Sequence, residues 1–587
     1  MDETAELASF VAELRLADVP DAAVERATVA IRDYVGVALY GSRHEVGDQI
    51  WSYVDSAFGR GPATAFGRGT TTPTGAALAN GTFGHAVDYD DTFDSIVIHP
   101  TSPVFGAALA AAQARRGEQM RPDVDGRDVL AGYVAGCEAA FRVGHATYPS
   151  HYDNGWHATG TVGAFGAAAA AASVFGLDAE TTQRAFGIVA SLSSALKTNF
   201  GTATKPLHAG HAAAMGVRAA RLAADAYTAD PDVLSGDIGY GEVMTTDGYE
   251  PSEIMGGLGE EWAVTDIAIK PYPSGVITHA AMDAMRQLVA DHDLTPETVE
   301  RVVVTLDEAA DEMLIHAEPD TELEAKFSVE FCLAAVLREG DASIREFTDE
   351  YVREPATRAA IDLVERDFEP ELGGEFAGYG ARVRVETTDG RSLDAEVSDA
   401  PGGPGNPLSD ERLRAKYDAC AGAVLSDEQV DAVADAVDGL ADSDGALSAL
   451  LDGVVPDAGY RTVATADLSP VEGKPGERLD LSGALGVEDV SVNLARLAPG
   501  ERLSQNAYHR HPTQAECYYV LEGEVAVETE AGRETLGADE AAAFDPGAPH
   551  LLHNAAGADA RLLAFGTPAD GRYPTERLRE YEAFLDE

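Results

Sequence analysis

Apolar residues in the first half of the chain recur three and four positions apart. ELASFVAELRL (6–16) is an example, and the spacing predicts amphipathic helix from residue 1 to about 265. Alanine and glycine occupy many of the apolar positions, so the predicted helices approach one another closely. The texture changes after 265. VERVVVTLD (299–307) and ARVRVETTDGRSLDAEVSD (381–399) alternate as strands do, the second around a TDG turn, with the helical AKFSVEFCLAAVLREG (325–340) between them. PGGPGNPLSDERL (401–413) breaks the pattern and restarts a capped helix. Beyond 475 the chain reads as short strands punctuated by glycine, as in CYYVLEGEVAVETEAGRETLG (517–537), which predicts a small barrel or jelly roll. The resulting division is a helical domain over 1–265 completed by 404–453, an α+β segment over 266–403, a linker over 454–474 and an all-β domain over 475–587.

A chain of 587 residues is too long for one core and agrees with about three domains. Asp and Glu number 100 against 42 Lys and Arg, a net charge of −58. That balance excludes a general nucleic-acid binder and disfavours an anionic membrane surface. The hydrophobic share of 45% is that of a folded protein, so the acid is read as a surface suited to high salt, a halophilic trait. Only six of the basic residues are lysines, at 197, 205, 270, 326, 416 and 474. A residue type this scarce on the surface is expected to have specific work where it remains. The four cysteines are far apart and form no CxxC pair, as expected of reduced thiols in a cytoplasmic protein. The acidic start lacks a signal-peptide pattern, and no run reads as a membrane span.

Four segments carry ionisable chemistry beside apolar stretches: GHAVDYDDTFDSIVIHP (84–100), DNGWHATGTVGAFGAAAAAA (153–172), TKPLHAGHAAAMGVRAA (204–220) and IKPYPSGVITHAAMDA (269–284). The first suits a metal site, a set of acids and bases, or a solvated turn, although it lacks the glycine and closing glutamate of a calcium loop. In the third, Pro206 suits a first helical turn, where free N–H groups and Lys205 together would hold a carboxylate or phosphate. His208 and His211 share a helix face, read as a weak metal pair or as packed side chains. His157, beside Trp156, suits either proton transfer or the core. Lys270 lies in a loop stiffened by two prolines, which fits a substrate clamp or a structural turn.

Together these segments resemble the MmgE/PrpD family over residues 1–453, on GHAVDYDDT, the His99-Pro100 that follows, GWHATG, TKPLH, KPYPS and AKFSVEF. The resemblance implies a helical domain with an α+β lid, a cleft between them, a homodimer and chemistry that needs no metal. It implies that Asp88, Thr92, His99 and His157 are catalytic, that Lys205, Lys270, His208 and Ser274 bind substrate, and that Asp90 and Asp91 position their loop. The family includes dehydratases, decarboxylases and epimerases of small polycarboxylates. Two departures stand out. Thr92 to His99 is one residue longer than in the decarboxylase, and Ser274-Gly275 replaces a histidine expected after the proline, which disfavours decarboxylation. The expected activity is therefore a hydro-lyase on a small hydroxy di- or tricarboxylate. An epimerase or isomerase using the same site, and a carboxylate-binding protein without turnover, are the alternatives.

YHRHPTQAECYYVLEG (508–523) and DPGAPHLLHN (545–554) resemble the two motifs of a cupin. His509 and His511 share a strand face, Glu516 follows, and His550 comes from another strand. Three imidazoles and a carboxylate suit Mn, Fe, Ni or Zn. The small β domain is thus expected to be a metal-binding cupin, either an enzyme or a sensor.

Overall fold

The computed structural model describes residues 3–117, 124–307, 314–369, 380–456, 463–471, 473–485, 487, 490–505, 508–569 and 575–579. The chain forms two compact units, Met1–Pro456 and Asp457–Glu587. The expected linker, 454–474, falls partly outside the described residues.

The first unit is built around the helix Ala158–Phe175, whose small side chains let neighbours close in from every side. Among the described residues it alone is long and apolar enough to cross a membrane, and 89% of that stretch is buried within the unit as a core helix. The helices Pro73–His85 and Thr204–Ala224 cross at Gly81 and Gly210. A Cβ on Gly81 would stand 2.8 Å from the Gly210 Cα, and one on Gly210 would stand 2.2 Å from the Leu78 carbonyl oxygen. Only glycine permits this approach, and it brings the C-terminal end of one helix, His85, to the N-terminal turn of the other, Lys205. The chain returns to this layer after the α+β part. Ser409 caps the helix Asp410–Ala421 by accepting from the Arg412 N–H. Lys416 of that helix then makes a buried ion pair with Asp33, 2.7 Å away, and donates to the Tyr89 carbonyl at 2.8 Å.

The α+β part carries a four-stranded sheet in the order Val364–Glu369, Val299–Asp307, Ala381–Thr387, Ser392–Val397. The first pair is parallel and the others antiparallel, so the predicted TDG turn does join two antiparallel strands. Val302, Val304, Val383 and Val385 point inward, where His279–His292 and Val329–Glu339 cover them.

The second unit holds a five-stranded sheet in the order Ala541–Phe544, Ala515–Glu522, Ala560–Thr567, Ser491–Leu497, Glu477–Asp480. A three-stranded sheet, Gly532–Leu536, Val525–Thr529, Leu551–His553, accompanies it. Val520, Val525, Val527, Leu552 and Leu562 form its apolar core. The all-β expectation is met.

The acidic excess sets up an expected result. Raising KCl from about 0.1 M to about 1 M shortens the Debye length from about 10 Å to about 3 Å and damps the self-repulsion of the net −58 charge. Calorimetry across that range is expected to show Tm rising with salt, and a flat Tm would remove the high-salt reading.

Candidate functional site

The site in the first unit grows out of the chain just after the helix Pro73–His85. Asp88 has φ 55°, a left-handed conformation that aspartate tolerates better than most residues. It is buried, and its carboxylate is held from both sides. Lys205 Nζ lies 2.8 Å from Oδ2, and Lys270 Nζ lies 2.9 Å from Oδ1 and 3.0 Å from the Asp88 carbonyl oxygen. Burial alone would raise the Asp88 carboxyl, but the two ammoniums outweigh it and hold it well below the usual carboxylate range. Asp88 is thus an anchor for two cations, and too weak a base to take a proton from carbon.

The bases lie beside it. His99 Nε2 is 3.7 Å from Asp88 Oδ1, and its Nδ1 is 3.2 Å from Asp90 Oδ1. The turn before it brings Phe93 and Ile98 into register, with Val97 at φ 52°, and so accommodates the longer spacing to His99. His85 Nδ1 meets Asp90 at 3.0 Å, and Ser102 Oγ donates to the same carboxylate at 2.6 Å. The His85 ring lies 4.3 Å from that of His99 and 5.8 Å from that of His157. His157 Nδ1 is 2.9 Å from His208 Nδ1, so one of the two must be an acceptor there. Burial, with His85 and Lys205 adding to it, pushes the His157 imidazole well below its ordinary range. His85, His157 and His208 are all lowered, chiefly by burial, and so are neutral imidazoles at neutral pH. Asp91 behaves differently from its neighbours. It faces the Thr101 hydroxyl and N–H, and burial pushes its carboxyl up to about 8.

The α+β part supplies the other wall. Leu323, Lys326 and Phe327 line the cleft together with His85, Asp88 and Lys205. The cleft measures about 30 Å³, room for about two waters. Three buried lysines, Lys205, Lys270 and Lys326, face the ionised carboxylates Asp88 and Asp90, with Glu322 beside Lys326. His85, Asp88, Asp90 and His99 lie close enough to share a metal ion. A divalent cation, however, would meet the two ammoniums already on Asp88. Two ammoniums on the single Asp88 carboxylate suit an anion.

Of the residues expected in this site, Asp88, His99, His157, Lys205, Lys270 and His208 converge. Thr92 and Ser274 do not. The Thr92 hydroxyl donates to Asp94 at 2.5 Å while its backbone pairs with Ala268, and Ser274 Oγ pairs with Thr278 Oγ1 at 2.8 Å in the core. His85 and Lys326 were not among the expected site residues. The scarcity of lysine was the signal that could have found Lys326. His85, at the end of an apolar helix, reads as a core residue.

Burial of neutral histidine has a measurable consequence. His85, His151 and His208 are each pushed from 6.5 to about 4, chiefly by burial. A folded-state value below the unfolded one makes protons favour unfolding. The stability these groups contribute is full above 6.5 and is lost as pH falls toward about 4. Tm is expected to drop through that window, and a Tm that holds until the carboxylates titrate would contradict it.

In the second unit His509, Glu516 and His550 offer donor atoms within 4.8 Å of one another. His511 Nε2 joins them, 3.1 Å from His509 Nε2 and 3.7 Å from Glu516 Oε2. His509 and His550 exchange backbone hydrogen bonds, which places their two strands side by side. His550 Nδ1 lies 3.0 Å from the Ala548 carbonyl oxygen; when Nδ1–H donates to that carbonyl, Nε2 carries the lone pair on the side of Glu516, 3.0 Å away. Glu516 Oε2 is buried and faces imidazoles, His550 Nε2 at 3.0 Å and His511 Nε2 at 3.7 Å. Three imidazoles converging on one carboxylate fit a divalent transition metal.

Comparison with known proteins agrees with both units. Residues 5–252 match the MmgE/PrpD N-terminal domain, 272–440 the MmgE/PrpD C-terminal domain and 493–566 the cupin domain. A cis-aconitate decarboxylase-like protein of Aspergillus oryzae is 28% identical over 72% of this chain and 91% of its own length. The cis-aconitate decarboxylase of Mus musculus is 27% identical over 71% of this chain and 86% of its own, and that of Homo sapiens is 28% identical over 71% and 87%. A solved cupin-superfamily sugar phosphate isomerase from Silicibacter pomeroyi is 26% identical over 18% of this chain and 75% of its own, with a TM-score of 0.17. The chain belongs to the MmgE/PrpD family, with a cupin domain following the two MmgE/PrpD domains.

Proposed function

We propose that the first unit is a metal-independent lyase of a small hydroxy di- or tricarboxylate, removing a proton α to a carboxylate and expelling water. The observation that carries this reading is Asp88 held between Lys205 and Lys270, beside neutral buried imidazoles. An ammonium has three donors. Lys205 spends one on Asp88 and Lys270 spends two, so both retain capacity for substrate carboxylates. The C–H bond breaks as His157 or His99 accepts the proton. The charge that develops on the carboxylate as an enediolate is stabilised by the ammoniums, worth several kcal/mol in a water-poor cleft. The C–O bond then breaks, and a second group protonates the departing hydroxide to water. The cleft of about 30 Å³ is too small for such a substrate. The wall carrying Lys326 and Phe327 must therefore open for entry and close for chemistry.

The relatives' names favour a second reading, decarboxylation, in which a C–C bond breaks, CO₂ leaves and an imidazolium protonates the carbanion. Ser274 and Gly275, where the family resemblance leads one to expect a histidine, weigh against it, as do imidazoles that are not imidazolium at neutral pH. The reading includes a cytoplasmic homodimer, whose mass light scattering would measure.

The test is NMR of the protein in concentrated KCl and D₂O with citrate, methylcitrate, malate, tartrate and cis-aconitate, with and without chelator. A new alkene signal that survives chelation supports the hydro-lyase. Loss of CO₂ from cis-aconitate selects the decarboxylase, and deuterium entering without an alkene selects an epimerase. Activity lost with chelator would move the chemistry to the cupin.

A further inference from the structure

Loss of water needs an acid on the departing oxygen as well as a base on the carbon, because hydroxide leaves poorly without a proton. The lining of the cleft narrows the choice. Its titratable side chains are His85, Asp88, Lys205 and Lys326. His85 is not an imidazolium at neutral pH, and Asp88 is ionised, so neither is a ready acid. A proton lost from Lys205 would undo its 2.8 Å ion pair with Asp88. Lys326 is left.

The chain around Lys326 holds it firmly on the α+β wall. It follows the helical turn Glu322–Ala325, which Thr321 caps by accepting from the Glu324 N–H. The Lys326 N–H donates to the Glu322 carbonyl at 3.2 Å, and the Lys326 carbonyl accepts from the Gly275 N–H at 2.9 Å. The second bond ties it to the segment that carries Lys270. Ser328 then starts the helix Val329–Glu339 by accepting from the Phe331 N–H. Phe327 between them stands 5.9 Å from Lys205 Nζ, ring centroid to nitrogen, so this wall reaches the helical one.

The charge around Lys326 suits a group that gives up a proton and takes it back. Burial lowers its ammonium from the ordinary lysine range, and Lys205 and Lys270 add to this, while Glu322 and Asp88 oppose it. Glu322 is itself bonded to His44 Nε2 at 2.7 Å. A carboxylate nearby keeps the ammonium protonated at rest, as an acid must be. Even with one N–H turned to a carboxylate, an ammonium has two more.

We infer that Lys326 is the general acid of this site, protonating the hydroxide as the C–O bond breaks, from the wall facing the imidazoles that take the α proton. This rests on the hydro-lyase reading. One N–H bond of Lys326 breaks as the O–H bond of water forms, which leaves a neutral amine and an imidazolium. A proton then passes from the imidazolium to the amine and resets both. Because the acid sits on the wall that must open, hydroxide is expelled only when the cleft is closed.

The hydroxy acid that the full chain converts to an alkene would be compared with its analogue carrying chloride in place of the hydroxyl. Chloride leaves without a proton. Lys326→Gln is expected to slow alkene formation from the hydroxy acid about 10²-fold or more, and from the chloro analogue less than about threefold. Lys326→Arg keeps the charge on a group that does not release its proton, and is expected to lose hydroxide expulsion as Lys326→Gln does. If Lys326→Gln does not fold, Lys326→Arg alone decides. Equal losses on both substrates, or recovery with arginine, would make Lys326 a carboxylate clamp and overturn the proposal. Full activity of either variant would overturn it too. A parent that forms no alkene from any hydroxy acid would sink the hydro-lyase reading and this role with it, whereas an active parent beside equally active variants sinks the role alone.

Discussion

Lys205→Ala is expected to lower kcat/KM by about 10²–10³-fold with little change in Tm. The size follows from removing one fixed charge aimed at a developing anion, worth about 3–4 kcal/mol in a closed site. The small effect on folding follows from Asp88, which keeps Lys270 on its other oxygen and so is not left as an unpaired buried charge. Lys270→Ala is expected to cost more stability, because Lys270 also holds the Asp88 carbonyl. Steady-state kinetics on the substrate found by NMR, with calorimetry on the same samples, would measure both. Full activity with unchanged KM in Lys205→Ala would remove that lysine from the site.

Asp88→Asn is expected to destabilise the first unit by about 3–5 kcal/mol and to abolish activity. Two ammoniums that now share one carboxylate would face each other in a buried site without it. Asparagine is the informative replacement because it also tolerates φ 55°, so backbone strain does not enter the comparison. Urea unfolding would read the loss. A change below about 1 kcal/mol, the range of an exposed ion pair, would mean that Asp88 is not what holds the lysines.

Much of this site was legible in the sequence, for reasons that can be assigned. The rarity of lysine singled out Lys205 and Lys270, and the spacing of His509 and His511 predicted a shared strand face, with Glu516 following. What escaped was decided by partners. Thr92 and Ser274 look like substrate hydroxyls until their neighbours are known. Each finds a partner within four residues, Asp94 and Thr278, and local satisfaction of this kind competes with any role in a cleft. Asp90 and Asp91 are adjacent and chemically identical, yet one faces imidazoles and the other a hydroxyl, so only the first fits as an ionised partner of the site. His85 is invisible as a site residue until the Gly81–Gly210 crossing places it beside Lys205.

Four of the six lysines, at 205, 270, 326 and 416, are buried in the first unit. Lys197 is occupied with Tyr152, its Nζ donating to the carbonyl and lying 3.6 Å from the ring centroid. Lys474 sits half-exposed in the loop ahead of Glu477–Asp480. A lysine-specific endoprotease acting on the native chain therefore has two half-buried lysines to attack, Lys197 in the first unit and Lys474 near the start of the second. Because Lys197 is held by Tyr152, the first cut is expected after Lys474, releasing residues 475–587 from a single preparation.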